Sequence, residues 1–229
     1  VYAMGVTLGS MFANLIGGWV TDAFDWRTAF FVVGIPGLLI AIIFKLTVKE
    51  PPRGHTDPST TVSKERVDLR EAIRELTTKP PFWLMTAGAT IAAFCGYGIS
   101  SFQCIYLVRA HGITTGEAAI WINTPVALSS AIGTFATGWL ATKLYRQYPG
   151  AIAWVPAIGL GLSVPFYFFA FTTENLLYAA IGLGIGGFVK YGYLAAQYTI
   201  GQGVVSMRVR ATATAVLLFV VNLIGYGFG

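Results

Sequence analysis

Charge is what this chain has least of, and the little there is lies unevenly. Lys, Arg, Asp and Glu make up 11% of the 229 residues, less than half the ~25% usual in a soluble domain. No Asp, Glu, Lys, Arg or His occurs in 82–108, 118–142, 147–173 or 211–229. Runs 1–21 and 28–44 are equally bare, and 175–207 is interrupted only by Lys190. A helix needs about 20 apolar residues to cross a hydrocarbon core, whereas soluble helices average about 11–12 residues. A water-soluble fold is excluded.

Catalytic side chains are as scarce. The two histidines, His55 and His111, fall in connections, and neither has a partner at metal-ligand spacing. None of the ten carboxylates lies inside an apolar run, and no acid follows Glu174. Intramembrane hydrolysis therefore lacks its ionisable groups, and no enzymatic role, metal, cofactor or nucleic-acid partner is expected. Gly182–Gly187 spells G-x-G-x-x-G, but it lies in an apolar helix with no acid ~20 residues on, so the nucleotide reading fails. Cys95 and Cys104 share one run. Nine residues of helix separate them by about 13.5 Å, too far for a disulfide, and buried inert thiols are expected. The chain opens at Val1 and closes at Gly229 inside apolar runs, with no charged leader, and reads as an internal piece of a longer protein.

What is present is a series of seven apolar segments: 1–21, 28–46, 82–108, 118–142, 151–171, 175–199 and 209–229. The expected fold class is all-α, a polytopic membrane protein. Five connections are short, and one, 47–81, is long and charged. With Val1 placed inside, the cytoplasmic connections carry twelve Lys and Arg, among them Lys143, Arg146, Arg208 and Arg210, against Arg27 and Arg109 outside. That asymmetry fixes the orientation. Within the long connection, Leu69, Ala72, Ile73 and Leu76 recur at i, i+3, i+4 and i+7. They predict an amphipathic helix over 64–76, either lying on the headgroup boundary or serving as a solvated spacer. Gly5/Gly9, Gly182/Gly186 and Gly225/Gly229 have the spacing that lets membrane helices approach closely.

Polar groups inside the apolar segments are the candidate site. Lys190 stands out, because a Lys at mid-membrane costs about 2.5–3.5 kcal/mol and usually faces a cavity or water path. On a continuous helix, Gly186, Lys190, Tyr193 and Gln197 form one stripe. Tyr97, Ser101 and Cys104 form a second, with Gln103 on an adjacent face, and Asn14 and Asn222 lie within the first and last segments. Lys190, Tyr193, Gln197, Tyr97, Ser101 and Asn222 are taken as substrate-binding candidates. The competing readings are a Lys snorkelling to the surface and polar groups bonded to neighbouring helices.

Several local motifs then bear on the family. Trp26-Arg27-Thr28-Ala29-Phe30 follows the first segment and Glu50-Pro51-Pro52-Arg53-Gly54 the second. Tyr106 to Glu117 carries Arg109, Gly138 to Arg146 carries Lys143, and Gln202 to Gly227 carries Arg210. Together they resemble the major facilitator superfamily, and within it the spinster-like transporters. The 138–146 stretch is similar to the second copy of the superfamily's loop motif, G-x-x-x-D-[RK]-x-x-[RK], with Thr142 in the acidic position.

The resemblance implies twelve helices in two halves of six. Here 1–46 would be the last two helices of the first half, 47–81 a cytoplasmic linker, and 82–229 five helices of the second. It assigns Gly138, Lys143, Arg146, Arg210, Arg27 and Arg109 to loop motifs that steer conformational change. It also implies a secondary transporter working by alternating access, linked to a proton or ion, for a small organic or amphipathic solute, lysolipid-like in this subfamily. Such a protein would be a monomer in the cell membrane, with the solute and membrane lipids as partners. The alternatives are an organic-anion symporter, with Lys190 as counter-ion, and a seven-helix receptor or channel. A receptor would put its N-terminus outside, against the charge asymmetry.

Overall fold

The computed structural model describes residues 3–48 and 69–228, and among these the regular structure is entirely helical. α1 (Met4–Ala23) and α2 (Trp26–Thr47) form an antiparallel pair. A short α3 (Leu69–Thr77) precedes α4 (Pro80–His111). α5 (Thr115–Glu117), a π turn (Ala118–Asn123) and α6 (Thr124–Tyr145) run on as one rod, followed by α7 (Ala151–Thr172). α8 (Leu176–Lys190) and α9 (Tyr193–Gly203) share one span, and α10 (Arg210–Phe228) completes the set. All seven expected apolar segments are helical through their described interiors, save for the turn at Tyr191–Gly192. Five stretches are long and apolar enough to cross a membrane unaided: Trp26–Thr47, Pro80–His111, Thr115–Tyr145, Ala151–Thr172 and Leu176–Gly203. α10 contributes a shorter apolar run, Arg210–Gly225. α1 has 20 residues, but Thr7, Ser10 and Asn14 dilute its apolar character.

Local chemistry sets the ends. The Asp25 carboxylate accepts the Thr28 backbone N–H at 2.6 Å and starts α2. Pro80 and Pro81 open α4, and Gly112, at φ 69°, closes it in the left-handed conformation that glycine adopts without strain. A reciprocal capping box between Thr114 and Glu117 starts the α5–α6 rod. The Asn175 side chain accepts from Leu177 N–H at 2.9 Å to begin α8.

The outside of the bundle is its greasiest part. α2 has no buried residue, and Phe30, Leu38 and Phe44 stand out into the surroundings. A helix that is apolar all round and yet uncovered matches lipid, not water. Inside, glycine replaces bulk. Side chains built on Gly133 and Gly159 would run into the carbonyls of Phe188 and Val189, one on Gly182 would lie 2.9 Å from the Ala170 Cβ, and one on Gly187 would lie 2.6 Å from the Ser130 Oγ. α8 is thus wedged between α6 and α7 at backbone contact, as packing in lipid favours.

Three expectations change here. Gly182 and Gly186 do face α7, and Gly225 packs on Ala93, but a Cβ at Gly5 or Gly9 would meet no other described helix within 4 Å, and Gly229 lies outside the described residues. Cys95 is exposed and Cys104 half-buried, so the thiols are not both interior; Cys95 borders an apolar space between α4 and α7. The helix expected over 64–76 is described from Leu69 onward, with 64–68 outside the described residues. It is more than a solvated spacer: Ala72 and Leu76 are buried in a cluster with Phe82, Val205, Val209 and Leu217. Ile73 remains half exposed.

Candidate functional site

Lys190 is the last residue of α8, and the helix breaks immediately after it. Tyr191 and Gly192 form a turn before α9 resumes at Tyr193. Gly192 makes the turn possible, because any side chain there would run into Thr137 of α6. The break loosens the backbone ladder, and the Thr134 hydroxyl, which donates to the Ser130 carbonyl at 2.8 Å, also lies 3.3 Å from the Tyr191 carbonyl. Irregular backbone at membrane depth needs such partners. The C-terminal end of α8 carries partial negative charge, which suits an ammonium.

The Lys190 side chain turns inward and is only 5% exposed. Its Nζ lies over the Tyr191 ring at 4.6 Å and the Tyr167 ring at 5.2 Å from the centroids, a cation–π geometry that strengthens away from water. Gly96 of α4 lies alongside it, where a Cβ would sit 3.5 Å from Nζ, in ordinary van der Waals contact. Among the described residues no carboxylate pairs with it.

The ammonium borders a cavity of about 270 Å³ with polar walls from several helices. α1 contributes Thr7, Ser10 and Asn14, and α4 contributes Tyr97, Ser100 and Gln103. Asn123 projects from the π turn, and its Oδ1 accepts from Gln103 Nε2 at 2.6 Å. The π turn's extra residue per turn shifts the register so that Asn123 reaches this wall, and the Thr124 hydroxyl donates back to the Ala119 carbonyl at 2.9 Å. Such turns recur at functional sites. Lys190, Ile99 and Tyr167 also border a second space of about 690 Å³, almost wholly apolar, between α4 and α7. On the linker side of the break, a third cavity of about 340 Å³ follows α6 and α9 past Thr134, Thr137 and Gly138.

Of the substrate-binding candidates, the structure brings Lys190 and Tyr97 together at the polar cavity. The stripe expected from a continuous helix is interrupted at Tyr191–Gly192. Tyr193 is buried beyond the break in the cluster with α4 and α10, and Gln197 is 2% exposed with its Oε1 lacking a partner. Ser101 is exposed, and its neighbour Ser100 lines the cavity instead. Asn222 is exposed on α10 and donates to its own helix, to the Leu218 carbonyl at 2.8 Å. Sequence reasoning passed over Tyr167, Tyr191 and Asn123. Asn123 had a signal, being the sole amide in the 118–142 run. Tyr167 had none, because one tyrosine among the aromatics of α7 is undistinguished until the helices pack.

The loop-motif residues lie at the two ends. Gly138 borders the linker-side cavity, Lys143 Nζ lies 5.0 Å from the Trp139 ring centroid, and Arg146 caps α6. Arg27 lies over the Trp26 ring at 5.1 Å, while Arg109 is exposed in the last turn of α4 and Arg210 is exposed at the start of α10.

A lipid-facing helical bundle with a broken span and a polar, cation-bearing cavity at its centre defines the class of membrane transporters. The Major Facilitator Superfamily pattern matches residues 1–229, and the chain belongs to that family. A bacterial homologue of the human lysosomal transporter Spinster, in an inward-facing and unoccupied conformation, is 40% identical and superposes with a TM-score of 0.78 over 100% of this chain and 53% of that one. An MFS-type efflux pump of Mycolicibacterium smegmatis is 26% identical over 96% of the chain and 50% of its own length. A cis,cis-muconate transport protein of Acinetobacter baylyi is 28% identical over 85% and 47% respectively. The chain spans about half the length of each of these. They are transporters, not enzymes.

Proposed function

We propose that the chain contributes the larger part of a substrate pathway in a secondary transporter that works by alternating access, with Lys190 as the electrostatic centre of the solute site. The observation that carries this reading is the nine-tenths-buried ammonium at the edge of a polar cavity, with no carboxylate beside it among the described residues. Holding a charge there costs several kcal/mol, and a solute that brings a carboxylate or phosphate offsets that cost when it binds. The cavity wall joins α1 to α4, α6 and α8. In the two-half organisation, 1–46 and 82–229 belong to opposite halves, and rocking them opens the site to one side at a time. The loop-motif cations Arg27, Arg109, Lys143, Arg146 and Arg210 frame the two mouths. The orientation is linker inside, in a cell membrane.

Within this reading the solute is a small organic or amphipathic anion, and the apolar space beside Lys190 accommodates its hydrophobic portion. A spinster-like relative and a muconate transporter are both compatible with that class. Coupling to a proton or ion would draw on groups beyond these spans, since no described carboxylate reaches membrane depth. Proteoliposomes containing the intact protein test the proposal: anionic solutes should accumulate under an imposed ion gradient, and neutral isosteres should not. Equal uptake of charged and neutral members of a series would overturn the assignment.

A further inference from the structure

At the linker end of α6 the chain presents two cations that have no counter-charge among the described residues. Lys143 and Arg146 are three residues apart on one helix face, both exposed. With Trp139 and Thr142 they border a shallow recess of about 290 Å³. No Asp or Glu occurs anywhere between Glu117 and Glu174, and those two acids sit at the opposite end of the bundle. Among the described residues neither cation has a carboxylate partner. Thr142 stands where the resembled loop motif carries an acid, and its hydroxyl is turned onto its own helix, donating to the Gly138 carbonyl at 2.8 Å. The substitution leaves net positive charge where the motif would balance it.

The surroundings are those of a membrane surface. The indole of Trp139 lies under the Lys143 ammonium, and Tyr145, Tyr148 and Trp154 are exposed around the same turn. Trp and Tyr concentrate at headgroup depth, and the cytoplasmic leaflet holds anionic lipids that attract basic residues at about 1 kcal/mol each. We infer that Lys143 and Arg146, beside Trp139, form a docking site for the phosphate of an anionic phospholipid headgroup in the leaflet on the linker side. Charge complementarity selects the lipid: a zwitterionic headgroup sets its own ammonium against the pair, whereas phosphatidylglycerol does not. The Arg fork can take both non-bridging oxygens of the phosphodiester, and the Lys ammonium can share one of them. This site is separate from the solute cavity, so a protein that transports nothing would still show it.

The test reads Trp139 directly. The intact protein is placed in bilayers of phosphatidylcholine containing a small fraction of phosphatidylglycerol brominated on its acyl chains, and the fluorescence lost is compared with that lost to brominated phosphatidylcholine. The Trp139→Phe protein measures the contribution of the other tryptophans. Stronger quenching of Trp139 by phosphatidylglycerol, with the apparent lipid affinity reduced roughly tenfold or more in Lys143→Gln/Arg146→Gln, supports the site. Equal quenching by both lipids, or a preference that survives the double substitution, overturns it. Soluble glycerol phosphate at millimolar concentration separates the sources. Failure to displace the lipid supports a membrane headgroup, and full displacement would show a recess for free anions instead.

Discussion

The Glu75 carboxylate accepts two hydrogen bonds from Ser206, one from its backbone N–H at 2.8 Å and one from its hydroxyl at 2.9 Å. The contact ties α3 to the turn between α9 and α10. Nearby, the Trp83 indole N–H donates to the Leu76 carbonyl at 3.0 Å, so the C-terminal turn of the docked helix is held from two sides. Hydrogen bonds to a charged group are worth about 1.5–3 kcal/mol when sheltered and nearer 1 kcal/mol when solvent screens them, as it does here. Glu75→Ala should therefore speed amide exchange across 69–77 several-fold. Ser206→Ala should do so by less, because the backbone donor survives. Unchanged exchange in Glu75→Ala would mean that Ala72 and Leu76 dock the helix alone.

Packing at backbone distance predicts which glycines tolerate a methyl group. Gly133→Ala would drive a Cβ into the Phe188 carbonyl, and neither helix backbone can step aside. Overpacking of this kind costs about 1–3 kcal/mol, and the detergent-solubilised protein should lose several degrees of thermal stability. Gly5→Ala and Gly9→Ala meet nothing within 4 Å and should leave the melting temperature unchanged or slightly raised. Equal loss at all three positions would show that α1 is packed in some other way.

The cap of α2 gives a pH dependence with a definite sign. The Thr28 backbone N–H, with its side chain, holds the Asp25 carboxyl below the ordinary carboxylate range. A carboxyl whose folded value is depressed contributes stability that is fully present above its unfolded value and is lost as pH falls through the folded value. Amide exchange at the start of α2 should thus be slow at neutral pH and quicken only well into the acid range. Asp25→Ala should abolish that dependence, and Asn at this position should keep protection at all pH values. A transition in Asp25→Asn like that of the native protein would assign the effect to another group.

Much of this fold was legible because the bilayer permits few solutions. Charge-free runs of membrane length must be helices, since only intra-segment hydrogen bonds satisfy the backbone there, and the described interiors of all seven are, save for the turn at Tyr191–Gly192. The site was legible only where a single residue broke a strong rule. Lys190 was conspicuous as the one charge in an apolar run. Its aromatic neighbours were not, because Tyr167 meets the ammonium through the packing of α7 on α8, which no local pattern encodes. The expected Tyr193 and Gln197 partnership assumed unbroken helical periodicity, and Gly192 ended it.

Orientation is open to a direct test. The connections at 145–151 and 203–210 lie at the same end of the bundle as the linker, and 111–115 and 172–175 at the other. Reporter fusions at Arg146 and Arg208 in the intact protein should be active on the cytoplasmic side, and one at His111 on the opposite side. A cytoplasmic His111 would invert the orientation and restore the receptor reading that the charge asymmetry set aside.

Lys190 is where the functional reading is most exposed to experiment. Its ammonium is buried between Tyr167 and Tyr191, with Gly96 alongside and no carboxylate beside it among the described residues. If it receives an anionic solute, Lys190→Ala in the intact protein should lower uptake at least tenfold while expression and melting temperature hold, because removing an uncompensated buried charge does not itself destabilise. Lys190→Arg retains charge but replaces a compact ammonium with a planar fork that must fit the same aromatic enclosure, so partial activity with an altered solute preference is expected. Gly96→Leu fills the space beside Nζ and should weaken solute binding although it adds and removes no charge. A Cys at position 190 should react with water-soluble thiol reagents and be protected by saturating solute, with Cys95 and Cys104 replaced beforehand to clear the background. Normal uptake by Lys190→Ala, together with a position-190 thiol unreactive from both sides, would leave Lys190 as a structural plug held by its two tyrosines, and the solute site would have to be sought elsewhere along the cavity.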